Sequence, residues 1–285
     1  MGWPSPSGCR LTRVQAHPEP PVRAPETGTN VARGAAQRWR LVISRTALPA
    51  ERTQREQLAD WEETLLTSGL PLAGLDAERP KPRVVLGAPL ANGIPGEAEL
   101  VDIWLVERVP RWRVREALEA RLPAGCALVD AYDVWVSEPP LPGRISASVY
   151  RARVRTVEAD RLAAAASALL GADALPRERR KGEGTVSYDL RPFLISIEVT
   201  PVAHGGAVIR MALLHDPARG VGRPDETLAA LGEAAGAPLR AESLVRERLI
   251  LADPPPPTPP VPAAPRRSSL APAATIPGGR IRDPR

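Results

Sequence analysis

Twice along this chain, segments that alternate apolar and polar residues give way to segments with apolar spacing of three or four, in the same order. Period two marks a strand with one buried face and period 3.6 a helix with one buried stripe. In the first run, Trp39, Leu41 and Ile43 share a face of a strand predicted over 38–45. Thr53 and Glu56 have capping-box spacing, so a helix starts there, with Leu58, Trp61 and Leu65 as its stripe and Gly69 as its stop. Strands are expected over 83–86 and 99–106. A helix opening at Pro110 turns Val114, Ala117 and Leu118 inward, and a strand over 127–136 closes the run. The second run repeats the order: strand 148–155, helix 158–170 ended by Gly171, strand within 186–199 interrupted at Pro192, strand 207–214, a helix from Pro224 carrying Leu228 and Leu231 and ended by Gly236, and strand 244–251. The expected fold is α+β: two ferredoxin-like β-α-β-β-α-β modules in tandem, 38–137 and 146–252, joined by a linker over 138–145 that holds Pro139, Pro140 and Pro142.

The flanks read differently. Residues 1–37 are rich in Pro, Gly, Ala and polar residues without apolar periodicity, and a disordered leader is expected. Residues 253–285 open on a proline run and continue as an arginine-bearing tail, also expected to be disordered. The formal net charge of +5 belongs to these flanks, because residues 38–252 hold equal numbers of bases and acids. A uniformly basic nucleic-acid binder would be charged otherwise. All the bases except Lys81 and Lys181 are Arg, and Arg, Ala, Pro and Gly are all plentiful, as a GC-rich genome would give. Arginine abundance alone therefore says little about RNA or DNA.

Hydrophobic residues make up 43% of the chain, enough for a buried core. The most apolar run, 162–170, is far shorter than the ~20 residues a bilayer requires, and the first residues lack the apolar core of a secretory signal. A cytoplasmic location without membrane contact is expected. Cys9 and Cys126 are too few for a disulfide framework, a zinc site or an iron–sulfur cluster. His17, His204 and His215 show no ligand spacing, and Lys181-Gly182-Glu183-Gly184 lacks the spacing of a phosphate-binding loop. No catalytic residue, metal ligand or cofactor is assigned.

Two regions could hold an anion. Arg177, Arg179, Arg180 and Lys181 form a basic loop broken by Gly182 and Gly184, which can permit a hairpin turn; the loop is either a phosphate clamp or a solvated charged one. Asp189 and Arg191 follow it, two apart on an expected strand and so on one face, either as structural ions paired with neighbouring residues, the default reading, or as part of a functional surface. The second region is the open face of a ferredoxin-like sheet, a platform RNA can use. Alternation groups Arg38 with Arg40, groups Arg151, Arg153 and Arg155, and sets Trp104 beside Asp102. The aromatic signature of RNA-recognition sheets is missing, and pairing with acids across strands is the competing reading.

The stretch Leu175-Pro176-Arg177-Glu178-Arg179-Arg180-Lys181-Gly182-Glu183-Gly184-Thr185-Val186-Ser187-Tyr188-Asp189-Leu190-Arg191-Pro192 resembles a signature of the radical SAM-linked proteins. Further blocks agree in order: Ser68-Gly69-Leu70-Pro71-Leu72, Pro80-Lys81-Pro82-Arg83, Ala88-Pro89-Leu90-Ala91-Asn92-Gly93, Glu97-Ala98-Glu99-Leu100-Val101-Asp102 and Gly222-Arg223-Pro224-Asp225-Glu226-Thr227-Leu228. The likeness spans 38–251. It departs where family members carry Ser-His-x-Asp-Leu after the first strand, since 47–52 holds no His, and where they carry Gly-Phe-Asn-Pro-His-Pro-Lys, since Lys81 replaces that His. The resemblance implies a partner in trans, a B12-binding radical SAM protein, and a substrate-binding surface drawn from Lys81, Arg83, Asp102, Arg177, Arg179, Arg180, Lys181, Asp189 and Arg191. It implies no reaction. The expected role is a non-catalytic accessory protein that presents a substrate, with RNA as the candidate. The alternatives are an RNA-modifying or RNA-processing enzyme with an acid/base site around Asp102, Lys181, Asp189 and Arg191, and a stand-alone RNA-binding module.

Overall fold

Eleven strands and five helices are found among the described residues, which in the computed structural model are 34–253 apart from 50, 76, 77, 79, 156, 157, 183, 203 and 204 and the side chains of 180 and 181. The expected leader, save its last few residues, and the expected tail beyond 253 lie outside the described residues. In the first half, β1 (Gln37–Arg45), α1 (Gln54–Thr67), β2 (Val84–Leu86), β3 (Gly96–Leu105), α2 (Arg111–Glu119) and β4 (Cys126–Val134) follow one another. The capping box that opens α1 is present: the Glu56 amide donates to Thr53 Oγ1 at 3.2 Å, and the Thr53 amide to Glu56 Oε2 at 2.7 Å.

The second half comprises α3 (Leu141–Arg144), β5 (Ile145–Arg155), α4 (Ala159–Gly171), β6 (Pro176–Lys181), β7 (Gly184–Asp189), a 3₁₀ turn Arg191–Phe193, β8 (Leu194–Val202), β9 (Gly206–Asp216), β10 (Gly220–Val221), α5 (Pro224–Ala234) and β11 (Ala241–Leu251). The basic stretch read as a loop is thus a hairpin, with Gly182 (φ 61°) at its turn.

Nine strands form one sheet in the order β10-β9-β5-β11-β3-β1-β4, with β2 also on β3 and β8 also on β9. Every pairing is antiparallel except β11 with β3, which run parallel at Arg246 and Gly96 and join the halves into one mixed α+β layer. Two cores lie where helices cover the sheet. Trp39, Leu41, Ile43, Val101 and Ile103 meet Trp61 and Leu65 of α1 and Val114 and Leu118 of α2. Ala152, Val154, Ile209 and Met211 meet Leu162 and Leu169 of α4 and Leu228 and Leu231 of α5. Burying each such aliphatic side chain contributes about 1.5–3 kcal/mol.

A third core has no long helix over it. Leu100, Leu141, Ile145 and Leu249 pack together with Val42 and Val85, and Leu100 lies on the face of β3 opposite Val101 and Ile103. The stretch expected to be a linker belongs to this core. Leu141 is fully buried, and Arg144 donates through Nη2 to the Ala252 carbonyl at 2.7 Å while accepting from the Ala252 amide on its own carbonyl. The prolines fix the path of this segment and Leu141 anchors it.

Candidate ligand cleft and arginine hairpin

The arginines of β1 are interior. Arg38 and Arg40 are 1% and 2% exposed, and Asp102 between them is at 0%. Arg38 donates through Nε to Asp102 Oδ2 at 3.0 Å, and Arg40 through Nε to Oδ1 at 2.8 Å and through Nη2 to Oδ2 at 3.0 Å. Residues after β4 fold over them: Arg38 also donates to the carbonyls of Glu138 at 2.6 Å and Pro139 at 3.2 Å. Burial alone would lower the Arg40 pKa, but the Asp102 hydrogen bond and charge reverse this and raise it. Trp104 stacks between the guanidinium groups of Arg38 and Arg83, 4.7 and 4.3 Å from its ring centre. Burial, then the charge of Arg38, lowers the Arg83 pKa. This corrects the open-face reading for β1: the shared face exists and is covered. Asp102 is a structural counter-ion. Lys81 is exposed and faces Glu62 at 3.3 Å.

The arginines of β5 stay at the surface and are matched by acids. Arg151 pairs with Glu247 at 2.8 Å and also with Glu97, Arg153 and Arg155 both meet Glu242, and Arg210 on β9 pairs with Glu247 at 2.8 Å. This is the cross-strand pairing that competes with an RNA platform.

The hairpin differs from both. β6 and β7 form their own two-stranded sheet, pairing Arg177 with Tyr188 and Arg179 with Val186. Alternation places Arg177 and Arg179 on one face, which meets α5. Arg177 Nη1 donates to Glu233 Oε2 at 2.6 Å, Tyr188 Oη donates to Glu226, and the Arg179 guanidinium lies 5.3 Å over the Tyr188 ring. Burial raises the Glu226 carboxyl pKa against the opposing charges of Arg179 and Arg177. Arg180 and Lys181 belong to β6, and their side chains lie outside the described residues.

Asp189 and Arg191 do not share a strand face, a second correction. Asp189 ends β7 and Arg191 begins the 3₁₀ turn. Asp189 Oδ1 accepts from the amides of Leu175 at 2.7 Å and Arg191 at 2.9 Å, closing the hairpin at its root. The Arg191 guanidinium donates to the carbonyls of Leu170 at 2.6 Å, Leu194 at 3.0 Å and Ala172 at 3.1 Å, which ties the turn to the end of α4. The Arg191 guanidinium is taken up by backbone carbonyls, and Asp189 closes the hairpin through Oδ1 while lining the smaller cleft.

Two clefts flank the start of α5. The larger, about 760 Å³, lies between the 89–95 turn of the first half and the β10–α5 junction and β11 of the second, with Tyr150 in its lining. The smaller, about 300 Å³, lies between the hairpin root and the same junction, lined by Arg179, Tyr188, Phe193, Arg219, Arg223 and Glu226 among others. Arg223 lines both. Gly222 places it there, since a Cβ at 222 would sit 2.9 Å from the Leu213 Cβ and 3.1 Å from the Phe193 Cβ.

The wall of the larger cleft is held from behind. Arg246, fully buried, donates to the carbonyls of Pro89 at 2.9 Å and Ala88 at 2.8 Å and pairs with Glu99. His215 Nε2 and Ser148 Oγ are 2.7 Å apart, and burial, then the charge of Arg246, pushes the His215 pKa down to about 4. Among the expected site residues, the structure brings Arg177, Arg179 and Asp189 to the hairpin and its cleft, and leaves Lys81, Arg83 and Asp102 in the first half. Sequence reasoning assigned no role to Tyr188, Arg219, Arg223 or Glu226. The Gly222–Glu226 block contains two of them and was visible as a motif. Among the described residues no group of three or more His, Cys, Asp or Glu could hold a metal ion, and no helix is long and apolar enough to cross a membrane.

Fold and site together define an α+β protein with a preformed cleft where its halves meet and an arginine-bearing hairpin beside it. The chain belongs to the family described as uncharacterized protein conserved in bacteria (DUF2344), which matches residues 79–224 and thus the hairpin, the 89–95 turn and the junction as far as Pro224. Solved structures with similar chains include a Cbf5–Nop10–Gar1 complex (TM-score 0.40, 12% identity, covering 73% of this chain and 49% of that one) and an H/ACA RNP bound to a substrate RNA containing 2′-deoxyuridine (TM-score 0.37, 13% identity, 73% and 47%). This chain spans about half the length of those chains, and a likeness this distant speaks for neither ligand nor partner. No curated protein matches the sequence.

Proposed function

We propose that this chain is a non-catalytic accessory protein that works beside a B12-binding radical SAM enzyme and presents that enzyme's substrate, an RNA segment, on the hairpin and the clefts around Arg223. The strand pairings support reading each half as a ferredoxin-like module, β1, β3, β4 and β2 in one and β5, β9, β11 and β8 in the other. In this reading the hairpin Pro176–Asp189 is an insertion between the helix and second strand of the later module.

One observation carries the assignment of the surface. The hairpin is the arginine-bearing element that stands apart from the main sheet, is rooted by Asp189 and Arg191, and borders an open cleft. The arginines of β1 are sealed by Asp102 and those of β5 are balanced by glutamates within the main sheet, whereas Arg177 meets a mostly exposed glutamate of α5 and Arg179 lines the cleft. A phosphate backbone needs accessible guanidinium groups to displace its counterions. The partner rests on the sequence resemblance.

The test is a pull-down of the tagged full chain from its native cells, with and without ribonuclease, identifying protein and RNA together. A radical SAM protein retained after ribonuclease supports the accessory role. RNA recovered without such a protein contradicts it and leaves a stand-alone RNA-binding module.

A further inference from the structure

The hairpin face that carries Arg177 and Arg179 is already occupied. Glu226 and Glu233 lie seven residues apart on α5, two helical turns along one side, and meet that face through Tyr188 and Arg177. We propose that these two carboxylates are displaceable stand-ins for a polyanion: they hold the hairpin against α5, and a phosphate backbone binds by taking their place on Arg177 and Arg179. This rests on the reading of the hairpin as the RNA surface and adds how that surface is kept closed.

Three features support it. The hairpin shares no ladder with the nine-stranded sheet, and an isolated two-stranded sheet is marginal without packing. Its ion pair with α5 is a weak one, because Glu233 is 64% exposed in its pair with Arg177 and an exposed pair adds little. Glu226 sits where burial disfavours its ionised form, and it also lies 3.6 Å from Arg223 at the junction of the two clefts. Lifting the hairpin therefore frees Arg177 and Arg179 and widens the 300 Å³ cleft beside Arg223, which is already half-exposed. A chain of phosphates has the spacing and charge to span these groups, whereas a single small anion reaches one or two of them.

The experiment uses the full chain and a fluorescent oligouridylate at low salt, read by anisotropy. Glu226→Gln with Glu233→Gln keeps side-chain shape and removes the competing charge. The double variant is expected to bind about threefold tighter or more than the wild type. Amide exchange over 176–189 is expected to quicken in the absence of RNA, with the melting of the nine-stranded sheet unchanged. Arg177→Gln with Arg179→Gln is expected to weaken binding. If the wild type binds and the Glu double variant binds equally or more weakly, the latch is overturned while the RNA surface stands. If neither wild type nor variant binds, the RNA reading falls and the latch with it. If poly-L-glutamate binding tightens in the double variant and oligouridylate binding does not, the phosphate assignment is overturned in favour of an acidic protein segment.

Discussion

Arg38 and Arg40 on β1 and Arg177 and Arg179 on β6 obey the same alternation, yet the first pair is sealed in the interior and the second is half-buried at the side of α5. The difference lies in what crosses the strand. Over β1 the chain continues past β4, and its carbonyls at 138 and 139 and the Asp102 carboxylate satisfy both guanidinium groups. Over β6 the side of α5 approaches, and it offers two carboxylates. Period-two spacing tells which side chains share a face, and the charge balance of the covering segment decides whether that face can meet a ligand.

The largest effect that would sharpen this contrast is expected from Asp102→Ala. It leaves two buried guanidinium groups without their counter-ion and should cost about 3–5 kcal/mol in urea unfolding. A loss under about 1 kcal/mol would mean that Arg38 and Arg40 reach water, and the two regions would no longer differ. Next comes acid. The His215 pKa is depressed in the folded chain to about 4, so the fold favours the neutral ring. That stabilisation is present above the unfolded value near 6.5 and is lost as pH falls toward about 4. About 2–3 kcal/mol should disappear across that window, and His215→Gln should flatten the profile. An unchanged slope in His215→Gln would place the acid sensitivity elsewhere.

Arg191→Gln should cost about 1–3 kcal/mol, because three partly buried carbonyl partners lose a charged donor. It should also loosen amide exchange at the hairpin root more than in β1. Arg177→Gln is expected to cost under about 1 kcal/mol of stability, since its pair with Glu233 is exposed, while reducing RNA binding. A large stability loss there would make Arg177 a structural residue like Arg38.

Much of the architecture was legible. The capping box at Thr53, the stripe of Trp61 and Leu65, and the order of elements in the first half follow directly from spacing. The union of both halves into one sheet was not, because it depends on a parallel contact at Arg246 and Gly96, 150 residues apart, that no local pattern encodes. The candidate site was half legible. The basic stretch and the Gly222–Glu226 block each stood out, but their meeting depends on how α5 packs beside the hairpin. Asp189 and Arg191 were misread because Leu190 adopts a helical turn between them, which breaks the alternation. Asp102 admits both readings in sequence, because a carboxylate on a strand looks the same whether water or two arginines face it.

The most direct measurement is arginine labelling of the native full chain with a dicarbonyl reagent, read by mass spectrometry with and without oligouridylate. The account predicts that Arg177 and Arg179 react in the native state and are protected by the RNA, while Arg38 and Arg40 react only after unfolding. Native labelling of Arg38 and Arg40, or labelling of Arg177 and Arg179 that RNA leaves unchanged, would contradict it.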